Sequence, residues 1–148
     1  MKFTAFNGSP AGRSSATGRI LTAFLKGAEE AGAETELCHL ADYEIKQCLG
    51  CFTCWFQTPG RCALQDGMEP LLRAYLASDV VCFGSPVYSW NMTALLKNFV
   101  DRLVPLKSPC LVQERGDFDM ADAVKRPKKY VAVSNCGFPG ENNFSVIR

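Results

Sequence analysis

Short runs of apolar residues alternate along this chain with segments whose apolar residues recur every three or four positions. Three such runs are bounded by polar or turn residues, at 3–6, 79–84 and 130–133, and residues 34–37 are a further strand candidate. Runs of this length and setting are typical of β-strands. The run at 79–84 is almost continuously apolar, which indicates a strand buried on both faces of a sheet. The pattern therefore predicts four strands.

Three other segments have the spacing of amphipathic helices. Residues 15–31 place five apolar side chains on one stripe: Ile20, Leu21, Phe24, Leu25 and Ala28. Residues 92–103 form a second such segment, in which Lys97 and Asp101 lie four positions apart on the polar side. The polar stretch 104–126 has no such period, and we expect a loop with some irregular helix there.

The remaining helix is predicted to follow Asp66, whose carboxylate is suited to an N-cap. Glu69 lies three residues later, as in a capping box. The apolar side of this helix is formed by Leu71, Leu72, Tyr75 and Leu76. The single histidine, His39, follows the second strand without a recognisable catalytic partner. We expect it at the surface or at the end of that strand.

Strands that alternate with helices indicate an α/β fold, in which a doubly wound parallel sheet carries a helical layer on each face. A chain of 148 residues is long enough for one hydrophobic core and too short for two. We therefore expect a single domain over residues 1–148, in three layers.

Composition excludes some classes of partner. Hydrophobic residues make up 47% of the chain, charged residues 21%, and the net charge is only +1. This lacks the excess positive charge that nucleic-acid binding requires. Nothing at the amino terminus resembles a signal peptide, and no apolar run approaches membrane-spanning length. We expect a cytoplasmic protein with no nucleic-acid and no membrane partner.

The loop after the first strand combines small residues, hydroxyl groups and one cation at a predicted helix amino terminus. Its candidate phosphate ligands are Ser9, Arg13, Ser15 and Thr17. Unpaired backbone N–H groups at such a terminus favour anions. The loop matches neither the dinucleotide glycine pattern nor the P-loop. A helix cap followed by a solvated loop is the alternative interpretation.

Two further loops, residues 85–91 and 134–139, follow the third and fourth strands. Tyr88 and Trp90 are placed to flank a flat aromatic ligand or simply to pack, and Cys136 is either a reactive thiol or packed under a ligand. The carboxyl ends of parallel strands share one edge of a sheet. A phosphate in the first loop and a ring between the other two describe an FMN site of the flavodoxin-like kind.

Four of the eight cysteines lie within fifteen residues, at Cys48, Cys51, Cys54 and Cys62. Two residues between successive cysteines let one loop direct three sulfurs to a common centre, and the turn at Pro59-Gly60 can return the fourth. Such a run resembles cluster-ligating sequences more than paired zinc knuckles. An iron–sulfur cluster, metal-free thiols and zinc are the three interpretations, in that order.

The chain resembles the flavodoxin-like NADPH-dependent FMN reductases, and in particular their iron–sulfur flavoprotein branch. Four stretches carry the resemblance: Asn7-Gly8-Ser9-Pro10, the compact cysteine run at 48–62, Ser85-Pro86-Val87-Tyr88, and Leu96-Lys97-Asn98-Phe99-Val100-Asp101-Arg102. The first, second and third lie in the predicted loops, and the fourth lies in the predicted 92–103 helix. The resemblance spans nearly the whole chain.

The resemblance implies particular roles for these residues. The FMN phosphate is held by Ser9, Ser15 and Thr17, and the ring edge is met by Pro86, Val87, Tyr88, Asn135, Cys136 and Gly137. It further implies a 4Fe–4S cluster on the four cysteines of the run, and a homodimer. The chain departs from the family where Ala11 replaces an arginine that often follows the Ser-Pro pair. It departs again at Gly67, where many relatives have a second acidic residue before Met68.

We therefore expect an FMN-dependent oxidoreductase that passes electrons from NAD(P)H or ferredoxin to a small acceptor, with the cluster as a one-electron relay. Flavin chemistry performs the transfer, so no acid or base residue is required. A non-enzymatic flavodoxin-type electron carrier and a thiol-based redox sensor are the alternatives. A flavodoxin-like sheet has five strands, and four are predicted here. We expect a form lacking the last strand and helix, which associates to cover the open edge of its fourth strand.

Overall fold

The computed structural model describes residues 1–114, 117–122 and 127–145. Its strands are β1 (Lys2–Asn7), β2 (Glu34–His39), β3 (Val80–Pro86), β4 (Lys107–Glu114), β5 (Asp117–Asp122) and β6 (Lys129–Asn135). Its α-helices are α1 (Ala16–Glu30), α2 (Thr53–Phe56), α3 (Met68–Ala77) and α4 (Ala94–Asp101). None of the helices in these described ranges is long and apolar enough to cross a membrane.

Four strands form one parallel sheet in the order β2-β1-β3-β6. Ala5 in β1 is in register with Leu37 on one side and Cys82 on the other. The four predicted strands are thus confirmed, and they pair as in a doubly wound flavodoxin-like fold. β3 lies inside the sheet with most of its residues buried, as its continuous apolar run predicted.

Helices pack on both faces of this sheet, which confirms the three layers. On one face α3 and α4 pack against β1, and the rings of Phe6 and Phe99 stack with centroids 4.6 Å apart. On the other face α1 packs through Leu21 and Leu25. Ile20 was predicted to lie on the buried stripe, yet it is exposed because the contact face of α1 is narrower than its apolar stripe.

The expectation of a loop with irregular helix at 104–126 is wrong for the residues that are described. A single 3₁₀ turn at Val104–Leu106 is followed by the antiparallel pair β4 and β5. The missed signal is the polar–apolar alternation Asp117-Phe118-Asp119-Met120, which has the period of a strand. Such a pair satisfies its backbone groups locally, so it needs no long apolar run. Residues 115–116 and 123–126 lie outside the described residues.

Two helix starts differ from those predicted. Gly67 occupies the N-cap position of α3, and the Asp66 carboxylate instead pairs with Arg102, so no capping box forms. Glu69 pairs with Arg73 along the helix. α4 starts only after Thr93, whose hydroxyl accepts from the N–H of Leu96 at 3.1 Å. A side chain that satisfies an orphan N–H fixes the first turn there.

Candidate functional site

The loops that follow β1, β3 and β6 meet at the carboxyl edge of the sheet. Thr17 Oγ1 donates to Asn135 Oδ1 at 2.6 Å, which joins the start of α1 to the end of β6. The N–H of Val87 donates to the carbonyl of Asn135 at 2.9 Å, so the second loop is tied to the same residue. Asn135 therefore connects all three loops that were predicted to share this edge.

Close backbone approach also holds these loops together. The N–H of Gly8 donates to the carbonyl of Gly84 at 2.7 Å, and Thr93 Oγ1 donates to the carbonyl of Gly8 at 2.6 Å. A Cβ atom at Gly8 would lie 2.5 Å from Cβ of Leu96, and one at Gly84 would lie 2.5 Å from a methyl group of Leu21. A larger residue at Gly8 would therefore press on α4 itself, and one at Gly84 would displace the buried Leu21 side chain.

Asn7, at the end of β1, holds the first loop in place through hydrogen bonds of its side chain. Its side-chain amide donates to the carbonyl of Gly12 at 2.9 Å and lies within bonding distance of Ser15 Oγ and of His39 Nδ1. Its Oδ1 accepts from the N–H of Ser9 at 3.0 Å. Asn7 is fully buried, so these bonds fix the loop against the sheet edge.

The four residues predicted to bind a phosphate have different surroundings. Ser15 is the N-cap of α1, where its Oγ accepts from the N–H of Gly18 at 2.9 Å. Ser9 and Thr17 are almost completely buried. Arg13 is exposed and pairs with Asp42 at 2.9 Å. The helix cap that the sequence offered as an alternative is present, and it leaves the amino terminus of α1 at the sheet edge.

His39 is the last residue of β2 and is buried beneath the first loop, so it lies at a strand end and not at the surface. Its contact with Asn7 is 3.0 Å from Nδ1 to Nδ2. Burial lowers the pKa of His39, and the charge of Arg13 lowers it further, while Asp42 opposes them. The neutral ring can accept from the Asn7 amide, whereas the protonated ring cannot.

The second loop presents its aromatic rings to solvent. Ser89 and Trp90 have positive φ angles, and Tyr88 pairs with Asn91 through two backbone hydrogen bonds of 2.8 and 3.0 Å. This tight turn leaves the side chains of Tyr88 and Trp90 54% and 66% exposed. Neither ring is therefore buried in the core of the described structure.

An open cleft of about 470 Å³ separates the second and third loops. It is lined by Val87, Ser89, Trp90, Cys136, Phe138 and Asn143. Cys136 is half-buried at its wall, Pro86 ends β3 close by, and Gly137 is exposed in the third loop. Asn135, next to Cys136 in the chain, bonds to Thr17 and so ties this side of the cleft to the first loop. The mostly apolar lining with aromatic side chains and a few polar groups suits a flat, partly polar ring.

A second pocket, of about 250 Å³, lies in the cysteine loop, residues 48–62. All four cysteines of the run line it, together with Leu49, Gly50, Phe52, Ala63, Leu64, Asp101, Arg102, Val104 and Pro105. The left-handed backbone at Gly50 and Phe52 reverses the chain between the first three cysteines. The four cysteines that were predicted to share a centre thus line one pocket, whose walls are mostly apolar.

The thiols of this pocket differ in their electrostatics. Hydrogen bonds from the side chain and backbone of Thr53 lower the pKa of Cys51. Burial raises the pKa of Cys54, and the neighbouring Cys62, Cys51 and Cys48 raise it further. Crowded thiols thus oppose one another's ionisation, which a bound cation or cluster relieves.

Among the described residues, no three His, Cys, Asp or Glu side chains are arranged so that they could hold a metal ion. The donor set is nevertheless four thiols on an apolar cavity, which suits a soft metal or an iron–sulfur cluster. By contrast, the core thiols Cys38 and Cys82 are buried in the sheet, and burial raises their pKa values to about 12 and about 11. Cys82 is thus a core residue, as predicted.

Sequence reasoning missed Asn7 as the organiser of the first loop, and it missed the pair of Asp66 and Arg102. A signal for Arg102 exists in the sequence: it lies three residues after Phe99, on the apolar stripe of α4. A cation at such a position must have a buried partner. No comparable local signal identifies Asn7, because its partners lie on three different segments.

The chain matches relatives that are named for their cofactors. It is 40% identical to an iron–sulfur flavoprotein of Archaeoglobus fulgidus over 71% of this chain and 46% of that protein. It is 36% identical to an iron–sulfur flavoprotein of Methanocaldococcus jannaschii over 72% of this chain and 54% of that protein. The chain spans about half the length of these curated relatives.

A solved structure shares the fold. The NAD(P)H:quinone oxidoreductase from Methanothermobacter marburgensis superimposes with a TM-score of 0.70 at 18% identity, over 99% of this chain and 72% of that one. A family model described as NADPH-dependent FMN reductase matches residues 1–134. Because that match covers all but the last fourteen of the 148 residues, the chain belongs to the NADPH-dependent FMN reductase family.

Proposed function

We propose that this protein binds FMN at the carboxyl edge of its sheet and passes electrons from NAD(P)H, or from ferredoxin, to a small acceptor. One observation carries this proposal: three loops meet around Asn135 beside a helix amino terminus and an open cleft, in a chain of the FMN reductase family. An anion site and a ring site are thereby adjacent, as a mononucleotide requires.

The phosphate is assigned to the amino terminus of α1. Ser15 Oγ satisfies the N–H of Gly18, so the N–H groups of Ala16 and Thr17 are the first-turn donors left for an anion. The helix dipole favours negative charge at this position. Arg13 is exposed beside it and can exchange Asp42 for a phosphate, since a surface ion pair of this kind contributes little.

The flavin ring is assigned to the cleft between the second and third loops. The exposed ring of Trp90 offers a stacking surface, and the tied backbone around Val87 and Asn135 offers polar groups to the ring edge. Bound FMN supplies the chemistry that joins a two-electron donor to one-electron or two-electron acceptors. The protein binds and orients the cofactor, and no side chain is assigned as an acid or a base.

The cysteine loop is proposed to hold a 4Fe–4S cluster through Cys48, Cys51, Cys54 and Cys62. Their convergence on one apolar cavity supports this assignment. Such a cluster would act as a one-electron relay. Anaerobic reconstitution should incorporate about four irons and four sulfides per chain, and Cys51→Ala should abolish that uptake. One zinc per chain would instead favour a structural site. Metal-free protein that forms disulfides on oxidation would favour the thiol sensor.

The flavin proposal is tested at Ala16, which is exposed at the first position of α1. Ala16→Asp adds a negative charge beside the proposed phosphate, and the same charge stabilises the helix through its dipole. We expect FMN affinity to fall at least tenfold while the melting temperature holds or rises. Ala16→Asn is the matched neutral control. Unchanged FMN affinity in Ala16→Asp would place the phosphate elsewhere.

Steady-state oxidation of NADPH or NADH by the FMN-loaded protein separates an enzyme from an electron carrier. An enzyme turns over many nicotinamides per flavin with a quinone or FMN as acceptor, whereas a carrier of the flavodoxin kind does not. Reduction by ferredoxin alone would assign the other donor.

Homodimer formation is part of the same proposal. β6 forms one edge of the parallel sheet, and Tyr130 on it is 57% exposed. Exposed pairing groups and apolar surface at such an edge favour association. Sedimentation at micromolar concentration should show a dimer. Val131→Lys should disrupt folding or assembly, because Val131 also packs against the core on the α1 face of the sheet. A stable monomer would contradict this part of the proposal.

A further inference from the structure

A buried ion pair connects α4 to the cysteine loop. The side chains of Arg102 and Asp66 are 2% and 1% exposed. The guanidinium donates to both carboxylate oxygens, with Nη1 at 2.6 Å from Oδ2 and Nη2 at 3.1 Å from Oδ1. Two parallel bonds of this kind fix the direction of both side chains. Arg102 is the C-cap residue of α4, and it lines the cysteine pocket.

The pair also binds the backbone on both sides of the cysteine loop. On the entering side, Arg102 Nη1 donates to the carbonyl of Lys46 at 2.6 Å. The N–H of Lys46 donates to Asp66 Oδ2 at 2.9 Å. On the leaving side, the N–H of Met68 donates to Asp66 Oδ1 at 3.1 Å. The chain therefore enters and leaves the loop through one charged cluster, which Arg102 neutralises.

Further hydrogen bonds hold together the two backbone segments at which the cysteine loop begins and ends, which we call the base of the loop. The N–H of Gly67 donates to the carbonyl of Glu44 at 2.8 Å, and Asn98 on α4 donates to the carbonyl of Ile45 at 2.5 Å. A Cβ atom at Gly67 would lie 2.9 Å from that carbonyl oxygen of Glu44. The acidic residue that many relatives have at this position therefore does not fit this backbone.

Arg102 reaches the cysteine pocket itself. Its side chain lines that pocket together with Cys62. A guanidinium is not deprotonated in proteins, so a fixed positive charge lies at the wall of the pocket. Cys62 is the fourth cysteine, which the sequence separates from the other three by a seven-residue segment.

We propose that Arg102 is the positioning residue of the cysteine site: through Asp66 and Lys46 it closes the base of the loop and holds the Cys62 limb against the other three cysteines. The cluster part of this inference rests on the proposed function. The closure of the loop does not, because it depends only on contacts within the chain. Asp66 is the ion-pair partner through which Arg102 acts, and neither residue lines the proposed flavin cleft.

The test uses the full-length, FMN-loaded protein and three variants. Arg102→Met with Asp66→Leu removes both charges and keeps apolar packing, so no unpaired charge is buried. Arg102→Lys keeps the charge but loses the planar fork that spans Lys46 and Asp66. Leu25→Ala lowers global stability from the opposite face of the sheet and serves as the stability control.

Three readouts are followed: amide hydrogen exchange of residues 46–66, the anaerobic alkylation rate of Cys62 by iodoacetamide, and iron per chain after reconstitution. In the double variant we expect loop exchange and Cys62 alkylation to rise about tenfold, iron uptake to fall by at least half, and FMN content to stay unchanged. Arg102→Lys should give intermediate values. Leu25→Ala should lower the melting temperature without this local loss of protection.

The proposal would be overturned if, in the double variant, amide exchange of residues 46–66 and alkylation of Cys62 proceeded at the wild-type rates. If the double variant does not fold, Arg102→Lys decides alone: faster exchange confined to residues 46–66 supports the proposal, and unchanged exchange overturns it. If the wild-type protein takes up no iron, the proposed cluster fails. The exchange and alkylation results still decide the role of Arg102, so the two failures are distinguishable.

Discussion

Thr17→Val tests whether the start of α1 and the end of β6 act as one unit. The substitution keeps the shape of the side chain and removes only the hydroxyl that donates to Asn135 Oδ1 at 2.6 Å. Thr17 is 1% exposed, so no water can replace the lost donor on that side. Asn135 is half-buried and can recover part of its hydration. The expected cost is about 1–2 kcal/mol of unfolding free energy.

The same loss should weaken FMN binding, because both loops of the proposed site depend on Asn135. If the free protein no longer holds the loops in the binding geometry, a cost of about 1–2 kcal/mol corresponds to roughly a five- to thirtyfold weaker affinity. Urea unfolding of the flavin-free protein measures the first quantity. Fluorescence titration with FMN measures the second.

Thr22→Val provides the control on the same helix. Thr22 Oγ1 donates to the carbonyl of Gly18 at 2.9 Å, a local bond within α1 on a residue that is largely exposed. Its loss should change stability by less than about 0.5 kcal/mol and leave FMN affinity unchanged. If Thr17→Val behaves like Thr22→Val in both assays, the bond to Asn135 does not couple the two loops.

Three further predictions concern pH, backbone approach and the core. Because the pKa of His39 is lowered below its usual value near 6.5, its stabilising effect is present above that pH and is lost as the pH falls; urea unfolding should show this dependence, and His39→Gln should lack it. Gly67→Ala should lower the melting temperature through its clash with the carbonyl of Glu44, whereas Gly27→Ala, inside α1 with open space around it, should raise it slightly. Phe99→Ala should cost about 3–5 kcal/mol of unfolding free energy in denaturant titration.

For each of these three predictions, a specific result would contradict the reasoning. Equal pH dependence in His39→Gln would assign the effect to other groups. A Gly67→Ala protein as stable as Gly27→Ala would show that the loop base relaxes freely. A loss under about 1 kcal/mol in Phe99→Ala would mean that the aromatic cluster on this face repacks.

Local pattern was enough for the four strands of the sheet. A short apolar run or its alternation with polar residues is visible among neighbouring residues, most clearly in the buried strand β3. The exposed pair of Lys97 and Asp101, 2.5 Å apart, was predicted for the same reason, since residues four apart on a helix are neighbours. The convergence of the three loops followed from topology, because parallel strands end at one edge.

Tertiary contacts decided what the polar side chains do. Asp66 has the local setting of a helix cap, and its Oδ1 accepts from the N–H of Met68 at 3.1 Å, but its carboxylate also pairs with Arg102, 36 residues later. Ser9 and Thr17 are candidate phosphate ligands by sequence, and the folded chain makes both of them almost completely buried. Local sequence offers each polar group several partners, and only the folded chain selects among them.

The cysteine site shows the same division. The sequence determined that four thiols can share one centre, since their spacing lets a single loop aim them. It did not determine what holds that loop, because Arg102 and Lys46 are far apart in the chain and meet only when α4 packs against the loop base. Spacing is a local property, whereas the closure of a loop depends on elements brought together by the core.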